Sequence, residues 1–463
     1  MVSDIPKPSS PPRSGRRWRA EHDLEGATRP HTGSRIGQAR RRPRILFVNQ
    51  YYWPDHASTA QHLTDLAESL VDRGYEVHVL CARGRYEPGV EPPPGEETHN
   101  GVQIHRVRAT SLGRGSVFKR MTDYLSFYLG AAHKAFTLPK FEVVVTLTTP
   151  PIIGLVGTIL RRLKGSCQVY WSMDLHPDAS LAIGQMSKRN PIVAALTWLS
   201  DFVYRQADRV VVLGPYMADR IRDKGVRDAR MVEIPVWSRQ DEIFPIARQG
   251  HPMRASLGLS EKFVVMYSGN LGLAHSATEF IEAARRLRDR KEIVFLFVGG
   301  GPRLREVRDA KQDEGLENIQ LLDYVPREQL HESLTVADAH LVSMRSEMTG
   351  IVVPGKLYGA MASERPVLFV GPDHSETADT IRQAGCGITV RLGEVDSLVD
   401  AITYLADHPS AATTMGQKGR SAFLAEFERE GCCEQWSALM GELVGDLRPS
   451  SVPDGPAVVS AIR

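Results

Sequence analysis

Short apolar runs rich in β-branched residues alternate along most of the chain with longer stretches of helical periodicity. Such alternation predicts parallel sheets whose strands are joined by right-handed helical crossovers. The pattern occurs twice. The first series of predicted strands comprises residues 44–49, 75–81, 102–106, 141–147, 168–171 and 209–213. The second series comprises residues 263–267, 293–298, 319–322, 339–343, 366–370 and 387–390.

A polar stretch with Pro235, Pro245, Gly250 and Pro252 separates the two series and is typical of a linker. Because 463 residues exceed what one hydrophobic core usually organises, we expect two Rossmann-like, doubly wound parallel-sheet α/β domains. The predicted segments are a disordered basic tail at 1–43, a first domain at 44–240, a linker at 241–262, a second domain at 263–425, a final helix at 426–446 within a helical pattern that starts near residue 422, and a disordered tail at 447–463.

Composition describes an ordinary globular protein, with 42% hydrophobic residues, 24% charged residues and a formal net charge of +2. This balance gives no indication of a nucleic-acid partner. The five cysteines are odd in number and form no C-x-x-C pair, so the sequence indicates neither a disulfide framework nor a zinc cage. The simplest setting is a reducing cytoplasm.

Two segments raise the question of membrane contact. Residues 1–43 lack the apolar core of a signal peptide but carry ten basic residues against four acidic ones, so this segment is either a solvated tail or a contact for anionic phospholipid. Residues 112–136 predict a basic, aromatic-rich helix that either lies on a membrane or packs into the core, and core packing is favoured. Residues 143–160 are uncharged, but Pro150 and Pro151 interrupt them, which predicts a strand, a turn and a buried helix.

Glycine-rich loops follow two strands of the second series, where open parallel sheets bind ligands. Gly269, Asn270 and His275 lie in the first loop, and Gly299 and Gly300 lie in the second. Each loop leads into a predicted helix and is either a phosphate-binding turn or simply a tight turn.

The most informative segment is residues 345–362, directly after a predicted strand. It places Arg345, Glu347, Gly350 and Lys356 within one loop and the start of a helix. Cations, a carboxylate and glycines are the groups that a negatively charged, polyhydroxylated ligand requires, whereas a solvated charged loop is the alternative.

The sequence resembles the family-4 retaining glycosyltransferases of the GT-B fold, in the branch that builds bacterial surface polysaccharides. The resemblance covers roughly residues 44–446. The matching segments are residues 50–54, 66–70, 73–77, 174–177, 267–270, 298–302, 347–361, 365–367 and 375–376.

The resemblance implies that the first domain takes the acceptor, the second domain binds a UDP- or GDP-linked sugar, and the last helix crosses back to the first domain. It places Tyr52 and Trp53 on the acceptor side. Glu347 would bind donor-sugar hydroxyls, and the amides of Gly350 and Ile351 would bind the phosphates. The implied position of Glu376 is near the donor ribose.

This chain departs from the family pattern at two places. The second glutamate of the E-x7-E motif is missing, since its position falls on Gly355 or Gly359. Many relatives place Arg and Lys where this chain has Asn270 and His275. We expect Arg345 and Lys356 to supply the missing cations, because a departing nucleoside diphosphate needs its charge stabilised. We expect no cofactor and no catalytic metal, since the sequence shows no D-x-D cluster.

The resemblance also implies retention of anomeric configuration, with the acceptor attacking on the face from which the diphosphate leaves. Asp174 and His176 follow a predicted strand and either orient the reactants or merely cap the next helix. The implied acceptor is lipid-linked or a saccharide, with the enzyme cytoplasmic or peripheral on the cytoplasmic membrane. A non-catalytic nucleotide-sugar sensor and a nucleotide-sugar epimerase of the same architecture are the alternative functions.

Overall fold

The computed structural model describes residues 41–83, 92–110, 117–187 and 189–446, with the backbone alone for residues 117–121 and 446. Both predicted tails, except residues 41–43, lie outside this part of the chain, as do residues 112–116 of the predicted aromatic helix. Within it the protein forms two α/β halves, each built on its own sheet.

The first sheet has eight strands in the order β3-β4-β2-β1-β5-β6-β7-β8, and only the β3–β4 pair is antiparallel. The strands are β1 Arg44–Val48, β2 Glu76–Ala82, β3 Glu96–His99, β4 Val102–Val107, β5 Val143–Thr146, β6 Cys167–Trp171, β7 Arg209–Val212 and β8 Met231–Glu233. The six predicted strands are confirmed. Strand β3 was not predicted because its sequence, EETH, is polar, and β8 was not predicted because it has only three residues.

The helices of this half cover both faces of the sheet. They are α1 Ser58–Asp72, α2 Val117–Thr137, α3 Gly154–Lys164, α4 Asp178–Ala182, α5 Pro191–Gln206 and α6 Pro215–Asp223, followed by the short 3-10 helix Asp228–Arg230. Residues 143–160 fold as predicted into β5, a turn and the start of α3. No helix in the described ranges is long and apolar enough to span a membrane.

The second sheet has six parallel strands in the order β11-β10-β9-β12-β13-β14. The strands are β9 Phe263–Ser268, β10 Ile293–Val298, β11 Ile319–Leu322, β12 Ala339–Ser343, β13 Val367–Val370 and β14 Gly387–Val390. The accompanying helices are α7 Pro252–Ser256, α8 Thr278–Arg286, α9 Leu304–Glu314, α10 Leu330–Thr335, α11 Lys356–Ala362, α12 Glu376–Ala384, α13 Val395–Asp407 and α14 Pro409–Ala422, with 3-10 turns at Arg327–Gln329 and Ser346–Met348. All six predicted strands are confirmed.

The last helix was predicted at residues 426–446, within a helical pattern from residue 422, and the structure interrupts this pattern before the helix starts. A π-helical turn, Phe423–Phe427, follows α14, and Glu428 then adopts an extended conformation beside Ser238. The last helix, α15 Arg429–Asp446, starts only after this break and packs against α1 and β5. Trp436 of α15 is fully buried and lies 4.7 Å, centroid to centroid, from Trp171 of β6. Helix α15 thus packs on the first half.

Candidate functional site

The Lys356 ammonium lies at the carboxyl end of β9, where the segment after β12 meets the segment after β9. Its Nζ donates hydrogen bonds to the hydroxyl of Tyr267 at 2.6 Å and to the carbonyl of Asn270 at 3.3 Å. It also lies 4.5 Å from the centre of the Tyr267 ring. Lys356 retains partial solvent contact, but burial lowers the pKa of its ammonium to about 7.

His275 completes this arrangement as a neutral side chain. Its Nδ1–H donates to the carbonyl of Ser343, which leaves Nε2 as an acceptor 3.2 Å from Lys356 Nζ. Burial and the neighbouring Lys356 lower the pKa of His275 to about 3. His275 therefore does not replace a cation at neutral pH; it orients the Lys356 ammonium.

The glycines of the two loops mainly serve tight packing. Gly269 and Gly299 have φ of +104° and +124°, and a Cβ on Gly299 would lie 2.5 Å from the carbonyl oxygen of Gly269. The amide of Gly269 donates to Val298, and the amide of Gly299 donates to Leu322. These two amides are already used within the protein. The structure therefore supports the tight-turn interpretation for Gly269 and Gly299. Gly300 packs against the ring of Tyr324.

Arg345 and Glu347 lie in the loop after β12, at the solvent-exposed border, or rim, of the region around Lys356. The amide of Arg345 donates to Ala274 at 2.9 Å, which joins this loop to the His275 loop. The Arg345 guanidinium lies 3.4 Å from Glu347 Oε1, and the Glu347 side chain is 53% exposed. A hydrogen bond from its own backbone and the nearby Arg345 lower the pKa of Glu347, so it is a carboxylate at neutral pH.

The segment of Asp174 and His176 lies directly against the Glu347 loop. The amide of Leu175 donates to the carbonyl of Ile351 at 3.1 Å. Helix α4 begins after Pro177 without a side-chain cap, so capping of α4 by Asp174 is not what the structure shows. Burial raises the pKa of Asp174, an effect that His176 partly offsets.

Gly350 and Ile351 lie at the interface between the two halves. Gly350 has a φ of +69°, and a Cβ there would lie 2.4 Å from the carbonyl oxygen of Tyr216. The amide of Ile351 donates to Met348 at 2.9 Å and is therefore not free for a phosphate in this conformation.

The Glu376 side chain is buried between the two halves, and its position near the donor ribose stays a prediction. Its Oε1 accepts a hydrogen bond from the amide of Met217 at 2.9 Å, at the start of α6 in the first half. A Cβ on Gly214 would lie 2.5 Å from Glu376 Cγ, so the close approach requires glycine there. Burial raises the pKa of Glu376 to about 7. Beside it, the Tyr216 hydroxyl lies 2.9 Å from Asp379 Oδ2.

Tyr52 and Trp53, the predicted acceptor-side residues, face the first domain's own core and edge. Tyr52 is 2% exposed within an apolar cluster that contains residues of both halves. Trp53 stacks on His99 of the edge strand with ring centroids 3.7 Å apart. Neither side chain contacts the segments around Lys356 in these interactions.

A cavity of about 190 Å³ lies beside Lys356 at the position of the missing glutamate. Gly355 and Gly359, the two candidate positions for that residue, both line it, together with Ser268 and His340. A Cβ on Gly355 would meet no atom within 4 Å. At the position of the missing glutamate the structure therefore has open space, and no acidic side chain is among the residues that line this cavity.

Arg303 is a cation near the site that sequence reasoning missed. Its charge contributes to the lowered pKa of His275, and its amide donates to Leu271. Its guanidinium pairs with Glu306 at 3.1 Å, and its side chain is 21% exposed. The sequence signal that could have identified Arg303 is its position directly after the Gly299 loop. In the described ranges, no three His, Cys, Asp or Glu side chains are grouped as metal ligands.

Two facing Rossmann-like halves with loops gathered at their seam define the GT-B class of glycosyltransferases. Residues 58–237 match the family described as glycosyl transferase 4-like domain, and residues 252–422 match glycosyl transferases group 1. The chain belongs to the family-4 group of GT-B glycosyltransferases.

Curated relatives agree with this assignment. The chain is 24% identical over 347 residues to the probable glycosyltransferase WbjE of Pseudomonas aeruginosa, which covers 74% of this chain and 84% of that protein. It is 25% identical over 384 residues to the putative colanic acid biosynthesis glycosyl transferase WcaI of Escherichia coli, with 78% and 91% covered.

Solved structures share the fold. Sucrose-phosphate synthase from Thermosynechococcus elongatus matches with a TM-score of 0.71 and 18% identity, over 88% of this chain and all of that one. Anabaena HepE, solved in complex with UDP-glucose, matches with a TM-score of 0.66 and 15% identity, over 86% and 99% of the two chains.

Proposed function

We propose that this glycosyltransferase is a metal-independent, retaining hexosyltransferase that uses a UDP- or GDP-linked sugar. The acceptor is a lipid-linked or polysaccharide intermediate of cell-surface glycan synthesis. The observation that carries the proposal is the Lys356 ammonium, held by Tyr267, Asn270 and His275 at the carboxyl end of β9. Relatives whose names specify a donor include a GDP-mannose-dependent mannosyltransferase of Mycolicibacterium smegmatis, and HepE was solved with UDP-glucose.

Three cations of the second half are assigned to the donor diphosphate: Lys356, Arg345 and Arg303. A leaving nucleoside diphosphate gains negative charge as the glycosidic bond breaks, and preorganised cations stabilise that charge. Lys356 is suited to this role because its lowered pKa makes it both a cation and a proton donor near neutral pH. Ammonium and guanidinium groups take the role that a divalent metal has in other transferases.

Glu347 and the Asp174–His176 segment are assigned to the reacting sugars. Glu347 is an exposed carboxylate on the rim and accepts hydrogen bonds from donor-sugar hydroxyls. Asp174 and His176 belong to the first half, and their segment is joined to the Glu347 loop through the Leu175–Ile351 hydrogen bond. In this assignment they orient the acceptor hydroxyl, which attacks on the face that the diphosphate leaves.

Product analysis tests the proposal. The purified protein is incubated with UDP- and GDP-sugars, with and without a polyprenyl-phosphate-linked sugar acceptor, and anomeric configuration is read by NMR. We expect a glycosylated acceptor of retained configuration, and we expect activity to persist in EDTA. Activity lost on chelation and restored by magnesium or manganese would contradict metal independence.

The same assay separates the alternative functions. An epimerase would interconvert free nucleotide sugars without an acceptor. A sensor would bind a nucleotide sugar and shift its melting temperature, but it would form no product under any condition. Either result would replace the transferase proposal.

A further inference from the structure

The carboxyl ends of β1 and β5 are the point at which the strand order of the first sheet reverses. From β1 the chain adds β2, β4 and β3 on one side of the sheet, and it then returns to add β5, β6, β7 and β8 on the other side. Open parallel sheets bind ligands in the crevice at such a point. The equivalent point of the second sheet lies between β9 and β12, where Lys356 bonds to Tyr267 of β9. The same rule therefore marks the β1–β5 strand ends as a candidate ligand site.

Four buried polar side chains at these strand ends have an unpaired atom. Asn49 and Gln50 directly follow β1, Thr146 is the last residue of β5, and Thr148 lies two residues further on. Asn49 and Thr146 are fully buried, Thr148 is 2% exposed and Gln50 is 8% exposed. The two amide oxygens and the two hydroxyls find no hydrogen-bond partner among the described residues. Because an unpaired buried polar group costs free energy, four of them at one pair of strand ends indicate a partner that the fold itself does not supply.

The chemistry of these atoms indicates the class of ligand. The Nδ2 group of Asn49 donates to the carbonyl of Tyr51 at 2.7 Å, which leaves its Oδ1 as an acceptor. The backbone amide of Gln50 donates to the carbonyl of Thr149 at 2.8 Å and so holds the two strand ends together. Amide oxygens accept hydrogen bonds and threonine hydroxyls both donate and accept, and none of these groups carries a charge. A phosphate or a carboxylate requires charged or N–H donors, whereas this set suits a neutral ligand rich in hydroxyl groups.

The turn that follows Thr148 is strained. Ile152 has a φ of +61°, in the left-handed region that β-branched residues rarely adopt. The amide of Leu155 donates to the carbonyl of Ile152 at 3.0 Å, which ties the strained residue to the start of α3. Backbone strain of this kind is concentrated at ligand clamps and switch segments. Since Thr148 is almost completely buried, a ligand reaches its hydroxyl only when this turn moves.

We propose that the β1–β5 strand ends bind the saccharide part of the acceptor, with Gln50 and Thr148 as hydrogen-bonding partners of its hydroxyl groups and the turn at Ile152 opening to admit it. Strand β6 pairs with β5, and the Asp174 segment follows β6 at the same edge of the sheet. The sugar would therefore be held beside the segment assigned to orient the attacking hydroxyl. This inference rests on the proposed function, because it takes the acceptor to carry a sugar.

A variant that combines Gln50→Leu and Thr148→Val tests the site. Both substitutions keep the approximate size of the side chain and remove a polar atom that has no protein partner. The melting temperature should therefore stay unchanged or rise, since no hydrogen bond within the protein is lost. The matched control is Thr158→Val, because Thr158 is also a buried threonine of the first half, but its hydroxyl bonds Gly154 and Gln168 at 3.1 Å. The control should lower the melting temperature and leave the KM for the acceptor unchanged.

Steady-state kinetics with the polyprenyl-phosphate-linked sugar acceptor, together with calorimetric titration of UDP and GDP, separates acceptor binding from donor binding. We expect the double variant to raise the KM for the acceptor at least tenfold, with affinities for UDP and GDP within twofold of the parent. An acceptor KM within twofold of the parent, in an active double variant, would overturn the acceptor assignment alone. A melting temperature lowered as far as in Thr158→Val would also overturn it, because the polar atoms would then serve the fold. Nucleotide binding by the parent without any product would overturn this inference and the proposed function together.

Discussion

Lys356 and Glu376 are two ionisable groups whose pKa values both fall at about 7, reached from opposite directions. Burial is the first cause in both cases, because removal from water disfavours the charged form of either group. Their surroundings differ. Lys356 keeps solvent contact beside a cavity, whereas Glu376 is 7% exposed and closed in by the first half of the chain.

This difference shows how to interpret a perturbed ionisable group. A group beside open space can recover its charge when a ligand of opposite sign arrives, so its perturbation indicates a binding role. A group enclosed by protein has only the partners that the fold supplies. Glu376 Oε1 accepts a hydrogen bond from the amide of Met217, whereas Oε2 is buried without a hydrogen-bond partner. In this structure its Oε1 links helix α12 to the start of α6 in the first half.

A large effect is expected on the pH dependence of stability through Glu376. Its pKa is raised from 4.5 to about 7, so the folded state binds more protons than the unfolded state between these values. Stability should therefore fall as pH rises from 4.5 to 7, by about 3 kcal/mol from this group. Glu376→Gln should remove that dependence. Denaturant unfolding of parent and variant across this range measures it, with Asp379→Asn as the control; parallel curves for parent and Glu376→Gln would contradict the assignment.

Lys356 should show the opposite sign and a ligand effect. The folded state binds fewer protons than the unfolded state between pH 7 and 10.5, so stability should rise with pH in that range. Binding of a nucleoside diphosphate needs the ammonium and should weaken as pH rises above 7. At neutral pH, Lys356→Ala should lose about 1.5 to 3 kcal/mol of binding, roughly ten- to a hundredfold.

Calorimetric titration of UDP and GDP into both proteins measures the Lys356 effect. Lys356→Arg should be milder than Lys356→Ala, because it keeps the charge. The matched control is Lys262→Ala, which removes a lysine whose Nζ bonds a surface carbonyl in the same half. Affinities of Lys356→Ala within twofold of the parent would exclude a diphosphate role for this group.

Glu347 provides a third comparison, since its carboxylate is exposed to solvent, whereas that of Glu376 is buried between the two halves. Glu347→Gln keeps its size and removes its charge, and we expect turnover to fall by more than about tenfold, or 1.4 kcal/mol. The exposed side chain should make no difference to the melting temperature. Steady-state kinetics and a melting curve of the variant test this prediction. Normal turnover would show that Glu347 is not a functional residue of the site.

The sequence predicted the strands well because buried parallel strands are continuous apolar runs flanked by helical patterns. It also located the loops at the carboxyl ends of these strands, which is where parallel sheets bind ligands. It failed where distant segments meet. Glu376 accepts a hydrogen bond from a residue 159 positions away, and Gly214 allows that approach. The tautomer of His275 likewise depends on the Ser343 carbonyl, which no local pattern shows.

The smallest expected effect concerns Arg345, which the sequence placed beside Lys356 as an equal partner. The structure separates them: Lys356 is enclosed by Tyr267 and His275, whereas the Arg345 guanidinium lies on the rim and faces Glu347 at 3.4 Å. Solvent screens such a cation, so its interaction with a diphosphate is worth less than that of a buried one.

Arg345→Ala should therefore weaken binding of the nucleoside diphosphate by less than about tenfold, in contrast to Lys356→Ala. Arg345→Lys should also be impaired, because lysine lacks the planar fork that binds two phosphate oxygens. A double-mutant cycle with Lys356→Ala, measured by calorimetry, tests whether the two cations contact the same phosphates, since coupled sites deviate from additivity. Additive losses would place Arg345 on a different part of the donor. A loss of affinity in Arg345→Ala as large as that in Lys356→Ala would show that the Arg345 loop closes over the ligand.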